Sequence, residues 1–175
     1  MSLKQIPVGH DVPHDINVLI EIPRNGEAIK YEVDKDSGMI MVDRVLNTAF
    51  RYPCNYGFVP HTLCGDGDPV DVCVVMPVPL LPGSVIKCRP VGVLKMTDES
   101  GEDAKIIAVP SSSVSGLYRH VADVRDVNAE TLDKIAHFFE HYKDLEPRKW
   151  VKVEGWHGAE RARALIEEAI KRAAG

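Results

Sequence analysis

Three aspartates, Asp66, Asp68 and Asp71, lie within six consecutive residues. A glycine and a proline between them favour a tight turn, and the apolar run Val70–Met76 that follows predicts a buried strand. Like charges about 4 Å apart repel by up to roughly 4 kcal/mol at an effective dielectric constant of about 20, so a folded protein accepts them when cations neutralise the cluster. An EF-hand calcium loop does not fit, because Asp71 and Pro77 occupy its glycine and glutamate positions. Because the third aspartate enters an apolar strand, the segment favours a divalent-cation site over a solvated turn.

A second acidic group spans Asp98–Asp103, in the turn between strands that we expect to end at Met96 and to begin near Lys105. Asp98 and Asp103 flank this turn and are expected to face each other across it. Asp103 and Lys105 are two residues apart and would share one strand face. A solvated hairpin tip explains the charges equally well. Carboxylate oxygens suit hard ions, so the group also predicts a Mg²⁺ or Mn²⁺ site.

Basic side chains that could bind an anion occur in two predicted strands. Lys30 and Glu32 share one face of the predicted strand Ile29–Val33, and Arg44 lies in the next strand. Cross-strand ion pairs on a solvated face are the ordinary alternative for each of them. These residues bear on function if their face points at the aspartates.

Two tyrosines and a lysine could add donors to the same site. The hydroxyl group of Tyr56 could donate to a phosphate oxygen, although a core position is commoner for such a residue. Tyr142 and Lys143 lie at the end of a predicted helix, where a lysine often only offsets the helix dipole. The chain contains no phosphate-binding G-x-x-x-x-G-K-[ST] loop, no G-x-G-x-x-G fingerprint and no G-x-S-x-G elbow.

His137 and His141 enclose an H-x-x-E-H pattern, which is typical of some zinc peptidases. On a helix, both side chains would lie opposite the apolar stripe of that helix, with Phe138 nearby. We therefore interpret them as surface or interface histidines, and the zinc peptidase remains an alternative.

The composition is that of one globular domain, which we expect to span residues 1–175. The chain has 45% hydrophobic residues, a net charge of -5 and a pI of about 5.8, and an acidic balance disfavours broad nucleic-acid binding. The stretch Met1–His14 lacks the apolar run of a secretory signal, and no segment is long enough to span a membrane. The four cysteines form no C-x-x-C pair, which indicates reduced thiols in a cytoplasmic protein.

Short strands are predicted for the first two thirds of the chain and two helices for the rest. The fold class is therefore α+β and mostly β, as a compact, mostly antiparallel barrel. One helix contains the periodic residues Leu132, Ile135, Ala136 and Phe139, with Asn128 as its cap, and the other is the C-terminal helix. The predicted strands are Ile16–Ile22, Ile29–Val33, Met39–Val45, Val70–Met76, Ser84–Met96 and Lys105–Val109.

The segment Asp66–Val72, D-G-D-P-V-D-V, resembles the signature of the soluble family I inorganic pyrophosphatases of bacteria. The resemblance continues through most of the chain from Ile16 to Trp156. The other matching segments are Ile20–Pro23, Ile29–Glu32, Tyr52–Gly57, Arg89–Leu94, Met96–Asp98 and Lys149–Lys152.

This resemblance implies a small closed OB-like β-barrel flanked by two main helices, a homohexamer, and Mg²⁺-dependent hydrolysis of pyrophosphate to two orthophosphates. By the resemblance, Asp68 assists deprotonation of the attacking water and Glu21 supports the site from behind. The implied metal ligands are Asp66, Asp71 and Asp103, completed by Asp98 and Glu32. The implied phosphate ligands are Lys30, Arg44, Tyr56, Lys105, Tyr142 and Lys143.

Two further alternatives belong to other classes of protein. An OB-type module for single-stranded nucleic acid needs exposed aromatic residues in a basic groove, and the acidic balance and the aromatic content of 6% count against it. A nucleotide pyrophosphatase needs an aromatic platform for the base, and the sequence identifies none. We expect no nucleic-acid or membrane partner.

Overall fold

The computed structural model describes residues 3–175, in which seven strands precede the first of two helices and an eighth strand lies between the helices. Residues 1 and 2, which belong to the predicted domain and to the stretch examined for a signal, lie outside the described part. The strands are β1 (Ile16–Ile22), β2 (Ile29–Val33), β3 (Ile40–Val45), β4 (Asn55–Phe58), β5 (Asp71–Val74), β6 (Val85–Asp98), β7 (Gly101–Pro110) and β8 (Val151–Gly158), and the helices are α1 (Ala129–His141) and α2 (Ala159–Ala173).

Six strands form one sheet in the order β1-β4-β5-β7-β6-β8. β1 also pairs with the start of β6, so the pairings run from β1 through β4, β5, β7 and β6 back to β1. All pairs are antiparallel except β5 with β7. The predicted mostly-β fold with two helices is therefore confirmed.

β2 and β3 form a separate two-stranded hairpin in which Lys30 pairs with Arg44. β1 is buried along its whole length, whereas most of β3 is exposed to solvent. The large sheet therefore supplies a rigid base, and the hairpin lies at its surface.

Two strands, β4 and β8, were not predicted from the sequence. β4 is only four residues long and contains Gly57, where a Cβ atom would lie 1.9 Å from the Leu19 carbonyl oxygen of β1. A glycine in a strand usually lowers strand propensity, but here it permits the close approach of two backbones. β8 begins with the alternating apolar and charged residues that are typical of a half-buried strand, Val-Lys-Val-Glu, and the sequence prediction overlooked this signal.

The acidic turn between β6 and β7 is tighter than predicted. Asp98 pairs with Gly101, and Asp103 pairs with Met96 inside the β-ladder. The expectation that Asp98 and Asp103 face each other across the loop was therefore wrong, because the strands continue closer to the turn. The predicted pairing of Asp103 with Lys105 on one strand face is confirmed by an ion pair.

Both helices begin at defined caps. Asn128 caps α1 as predicted, since its side chain accepts a hydrogen bond from Thr131 N at 3.3 Å. Gly158 precedes α2 and has no side chain to offer, so Asp123 from a distant segment accepts a hydrogen bond from Ala159 N at 2.9 Å. Such tertiary caps satisfy free N–H groups at the helix start.

The helix α1 presents Phe138 to the core rather than to a surface. Phe138 is 3% exposed and stacks on Tyr142, so its expected place beside the two histidines was wrong. His137 contacts Phe50 and His141 instead, with ring centroids 5.4 and 4.7 Å away.

The four cysteines are free thiols. Cys54, Cys73 and Cys88 are buried, and Cys64 is half-buried. Within residues 3–175, no helix combines the length and the apolar character needed to cross a membrane.

Candidate active site

A single pocket of about 390 Å³ opens between the large sheet and the β2–β3 hairpin. All thirteen residues that the family resemblance assigns to the site line this pocket, so the structure brings every one of them together. They are Glu21, Lys30, Glu32, Arg44, Tyr56, Asp66, Asp68, Asp71, Asp98, Asp103, Lys105, Tyr142 and Lys143.

Two short-range hydrogen bonds fix the conformation of the D-G-D turn. Asp68 N donates to Asp66 Oδ1 at 3.0 Å, and Cys64 N donates to the Asp68 carbonyl oxygen at 2.7 Å. Gly67 has a φ of 92°, a left-handed conformation that glycine adopts without strain. The turn leaves the Asp68 side chain 71% exposed, while Asp71 enters β5 and is 28% exposed.

Lys105 joins two of the aspartates in the floor of the pocket. Its Nζ lies 2.6 Å from Asp71 Oδ2 and 2.8 Å from Asp103 Oδ1, and its side chain is 6% exposed. Burial by itself lowers the pKa of Lys105, but the two carboxylates outweigh burial and hold it well above its ordinary value. The residue therefore keeps its positive charge in a buried position.

Two carboxyl groups in the pocket bind protons more tightly than usual. Burial raises the pKa of Glu21 to about 7, and the charges of Asp71 and Glu32 add to this although Val33 N donates to its carboxylate at 2.8 Å. Burial also raises the pKa of Asp103, against the opposing charge of Lys105. Burial is the main cause of both raised pKa values, and neighbouring carboxylates add to it.

Lys143 connects the end of α1 to the β6–β7 turn. Its Nζ lies 2.8 Å from Asp98 Oδ2 and 3.4 Å from Glu99 Oε1. Burial opposes ionisation of Asp98, but the hydrogen bond from Lys143 prevails and lowers the pKa of that carboxyl group. This pair is therefore an ammonium and a carboxylate.

The hairpin contributes a second set of charges. Lys30 pairs with Glu32, as its strand position predicted, and its Nζ also lies 3.3 Å from Asp43 Oδ2. Arg44 Nη2 lies 3.4 Å from Glu146 Oε1. Arg44 Nε is buried and has no hydrogen-bond partner among residues 3–175, so its N–H group is a donor left over for an anionic ligand.

An aromatic cluster closes the floor of the pocket. Tyr52, Tyr56 and Tyr142 are at most 7% exposed and pack around Phe139. Burial raises the pKa of both Tyr56 and Tyr142, so their hydroxyl groups stay protonated as donors. Lys105 Nζ lies 5.5 Å from the Tyr56 ring centroid. These rings are core residues with polar ends, and none forms an exposed platform for a nucleobase.

Several pocket residues were not singled out in the sequence. Tyr52, Glu99 and Lys149 lie within segments that the sequence analysis named, but no role was assigned to them. Lys35 looked like an ordinary surface lysine, and nothing in its spacing marks it. The further lining residues that were missed are Val33, Phe58, Pro69, Ser100 and Glu102.

A smaller cavity of about 340 Å³ lies between the D-G-D turn and α2. Asp66, Asp71 and Asp103 line both this cavity and the larger pocket. The three aspartates therefore lie between the two cavities, and Leu165 and Ala169 of α2 line the smaller one.

Nine carboxyl groups and six basic side chains line the larger pocket. Its donor atoms are oxygens, which suit hard divalent cations. As the side chains stand, no three His, Cys, Asp or Glu residues of the part described converge into a ready-made metal site, because Lys105 occupies the space between Asp71 and Asp103. The excess of carboxyl groups and the raised pKa of Asp103 nevertheless fit the binding of cations.

A mostly-β fold with a pocket of carboxylates, ammonium groups and phenols defines the class of hydrolases that act on small phosphate compounds. A sequence model of the family described as inorganic pyrophosphatase matches residues 18–174. An inorganic pyrophosphatase of Escherichia coli is 62% identical over 173 residues, which are 99% of this chain and 98% of that protein. One from Xylella fastidiosa is 57% identical over 98% of this chain and 97% of that protein.

The solved structure of an inorganic pyrophosphatase from Thermus thermophilus matches with a TM-score of 0.93 at 45% identity and covers 100% of both chains. The chain therefore belongs to the inorganic pyrophosphatase family, in its bacterial family I form. It is an inorganic diphosphatase, an enzyme that hydrolyses pyrophosphate. This assignment rejects the zinc peptidase, the nucleic-acid module and the nucleotide pyrophosphatase.

Proposed function

We propose that the enzyme hydrolyses pyrophosphate with divalent cations, Mg²⁺ above all, held by the aspartates of the pocket. The observation that carries this proposal is the excess of carboxyl groups over basic groups in one pocket. Asp66, Asp71 and Asp103 would hold the ions, and Asp98 and Glu32 would complete further sites. When bound, such ions lower the pKa of water and neutralise the charge of a phosphoanhydride. Mn²⁺ and other divalent ions have the same preference for oxygen ligands.

Asp68 is proposed as the general base that takes the proton from the attacking water. Its backbone is held on both sides by hydrogen bonds, while its carboxylate is exposed in the pocket. Asp71 and Asp103, by contrast, are already engaged with Lys105. Asp68 therefore has more freedom to accept a proton than Asp71 or Asp103.

The basic and phenolic groups are proposed to bind the two phosphate groups and to stabilise the charge on the leaving phosphate. Glu21 is proposed to support them from behind, since it accepts a hydrogen bond from Val33 N at the end of β2. The proposed phosphate ligands are Lys30, Arg44, Tyr56, Lys105, Tyr142 and Lys143.

The ring of strand pairings supports a closed OB-like barrel, and one such domain over residues 1–175 is proposed. A homo-oligomer, a hexamer by family resemblance, is proposed as well. Exposed apolar residues in and just before β3 support it, since Met39, Met41 and Val42 are 54–62% exposed and such patches mark contact sites. Free cysteines are consistent with the proposed cytoplasmic location.

Phosphate release from pyrophosphate tests the proposed cofactor. We expect rapid release with Mg²⁺, loss of release in excess EDTA, and little release from ATP under the same conditions. The comparison with ATP is informative because the tyrosines of the pocket are buried and cannot stack on a nucleobase. Full activity in excess EDTA would falsify the metal requirement.

The variant Asp68→Asn tests the proposed base. It should fold normally and lose about 10²- to 10⁴-fold in kcat, the usual contribution of a general base. The matched variant Asp71→Asn should also shift the Mg²⁺ concentration that gives half of full activity. If Asp68→Asn keeps the wild-type kcat, another group accepts the proton.

A further inference from the structure

Lys35 is a pocket residue to which neither the sequence motifs nor the proposed mechanism assigns a role. It lies in the turn of the β2–β3 hairpin, and its Nζ is 3.4 Å from Asp68 Oδ1. This is the single side-chain partner recorded for the Asp68 carboxylate within residues 3–175. The contact joins two segments that are 33 residues apart in the chain.

Both ends of this contact have fixed backbones and long or exposed side chains. The hairpin turn is closed by Gly38 N donating to the Asp34 carbonyl oxygen at 2.7 Å and by Asp34 N donating to Met39 O at 2.9 Å. The D-G-D turn is closed in the same way around Asp68. Within residues 3–175, Lys35 is therefore the one charged side chain that contacts the exposed Asp68 carboxylate.

We propose that Lys35 is a positioning residue, which holds the Asp68 carboxylate in the pocket and sets the distance between the base and the hairpin that carries Lys30 and Arg44. The proposal rests on the proposed role of Asp68 as the base. An ion pair between side chains that are 51% and 71% exposed adds little to stability. Its effect on catalysis can be much larger, because misplacing a reacting group by about 1 Å can cost about 10²-fold in rate.

The variant Lys35→Met keeps the length and loses the charge. We expect kcat to fall by about 5- to 50-fold while KM changes less than about twofold, because the base is misplaced and the phosphate ligands are intact. Lys35→Arg should restore most of kcat, since its guanidinium group can pair with the same carboxylate. The control is Lys134→Met on α1, an exposed lysine that pairs with Glu130 outside the pocket; it should keep the wild-type kcat.

A double-mutant cycle with Asp68→Ala separates positioning from direct contact with the substrate. Without the carboxylate, Lys35→Met should have no further effect on kcat. A raised KM that persists in the Asp68→Ala background would overturn the proposal and make Lys35 a phosphate ligand. If Lys35→Met keeps the wild-type kcat while Asp68→Asn is impaired, the role of Lys35 is overturned and the role of Asp68 as the base is retained. Wild-type kcat for Asp68→Asn would instead overturn the proposed base itself.

Discussion

The large sheet and the β2–β3 hairpin form opposite sides of the pocket and hold their charges differently. On the sheet side, Lys105 is 6% exposed between Asp71 and Asp103. On the hairpin side, Lys30 is 25% exposed and its partner Glu32 is 51% exposed. The same types of residue are therefore buried on the sheet side and partly exposed to solvent on the hairpin side.

This difference separates two tasks within one site. Charges fixed in a buried sheet keep their positions but depend on each other for neutralisation. Charges on a surface hairpin are screened by water and are free to exchange a protein partner for a ligand. The sheet therefore suits the binding of cations at fixed points, and the hairpin suits the capture and release of phosphate.

The largest expected effect is on stability. Lys105→Met should lower the free energy of unfolding by about 3–5 kcal/mol in metal-free buffer, because it leaves two carboxylates without their buried partner. Lys30→Met, on the hairpin, should lower it by less than about 1 kcal/mol. Urea unfolding of both variants measures the difference. Equal losses would mean that the two sides do not differ in effective dielectric.

The second effect is a dependence on pH at the junction of the two regions, where Glu21 of β1 accepts the hydrogen bond from Val33 of β2. In the folded protein, burial raises the pKa of Glu21 to about 7 from its ordinary value of 4.5. Between these values the folded state binds more protons than the unfolded state, so this group lowers stability as pH rises and has no further effect above about pH 7.

Glu21→Gln removes that penalty and keeps an oxygen acceptor for Val33 N. In metal-free buffer its stability relative to wild type should rise by up to about 3 kcal/mol between about pH 5 and pH 8. Thermal or urea unfolding at several pH values measures it. A constant difference at all pH values would show that burial does not raise the pKa of Glu21.

The smallest effect is on the hairpin itself. Lys30→Ala and Arg44→Ala should each lower kcat/KM for pyrophosphate by about 10- to 100-fold, which corresponds to one charge-assisted contact of about 1.5–3 kcal/mol. Their unfolding midpoints should stay close to wild type. Steady-state kinetics with saturating Mg²⁺ measures the loss. Unchanged kcat/KM in both variants would place phosphate binding on the sheet side alone.

The sequence predicted the parts of this protein that depend on local patterns. The bounds of β1 and β2 match the predicted strands, and the Asn128 cap starts α1 as expected. The thirteen predicted site residues, which include the two aspartates of the D-G-D turn, were found because chemistry and family resemblance agreed. β4 was missed because it is four residues long and contains a glycine, which lowers strand propensity. β8 was overlooked although its alternating residues are typical of a strand.

Contacts between distant segments could not be predicted in the same way. Lys35 meets Asp68 across 33 residues, and Asp123 caps α2 across 36 residues. No spacing rule connects such pairs, because their distance is decided by how the hairpin and the loops pack on the sheet.

The sequence by itself determined the chemical inventory of the site, the mostly-β class and the family of the enzyme. These follow from residue types at short spacing, where strand and turn geometry is nearly the same in every protein. The tertiary structure alone decided that Lys105 pairs with both Asp71 and Asp103 and that Lys35 contacts the proposed base. It also decided that burial raises the pKa of Glu21 to about 7. The physical reason is that burial and long-range Coulomb interactions depend on neighbours that are brought together only by folding.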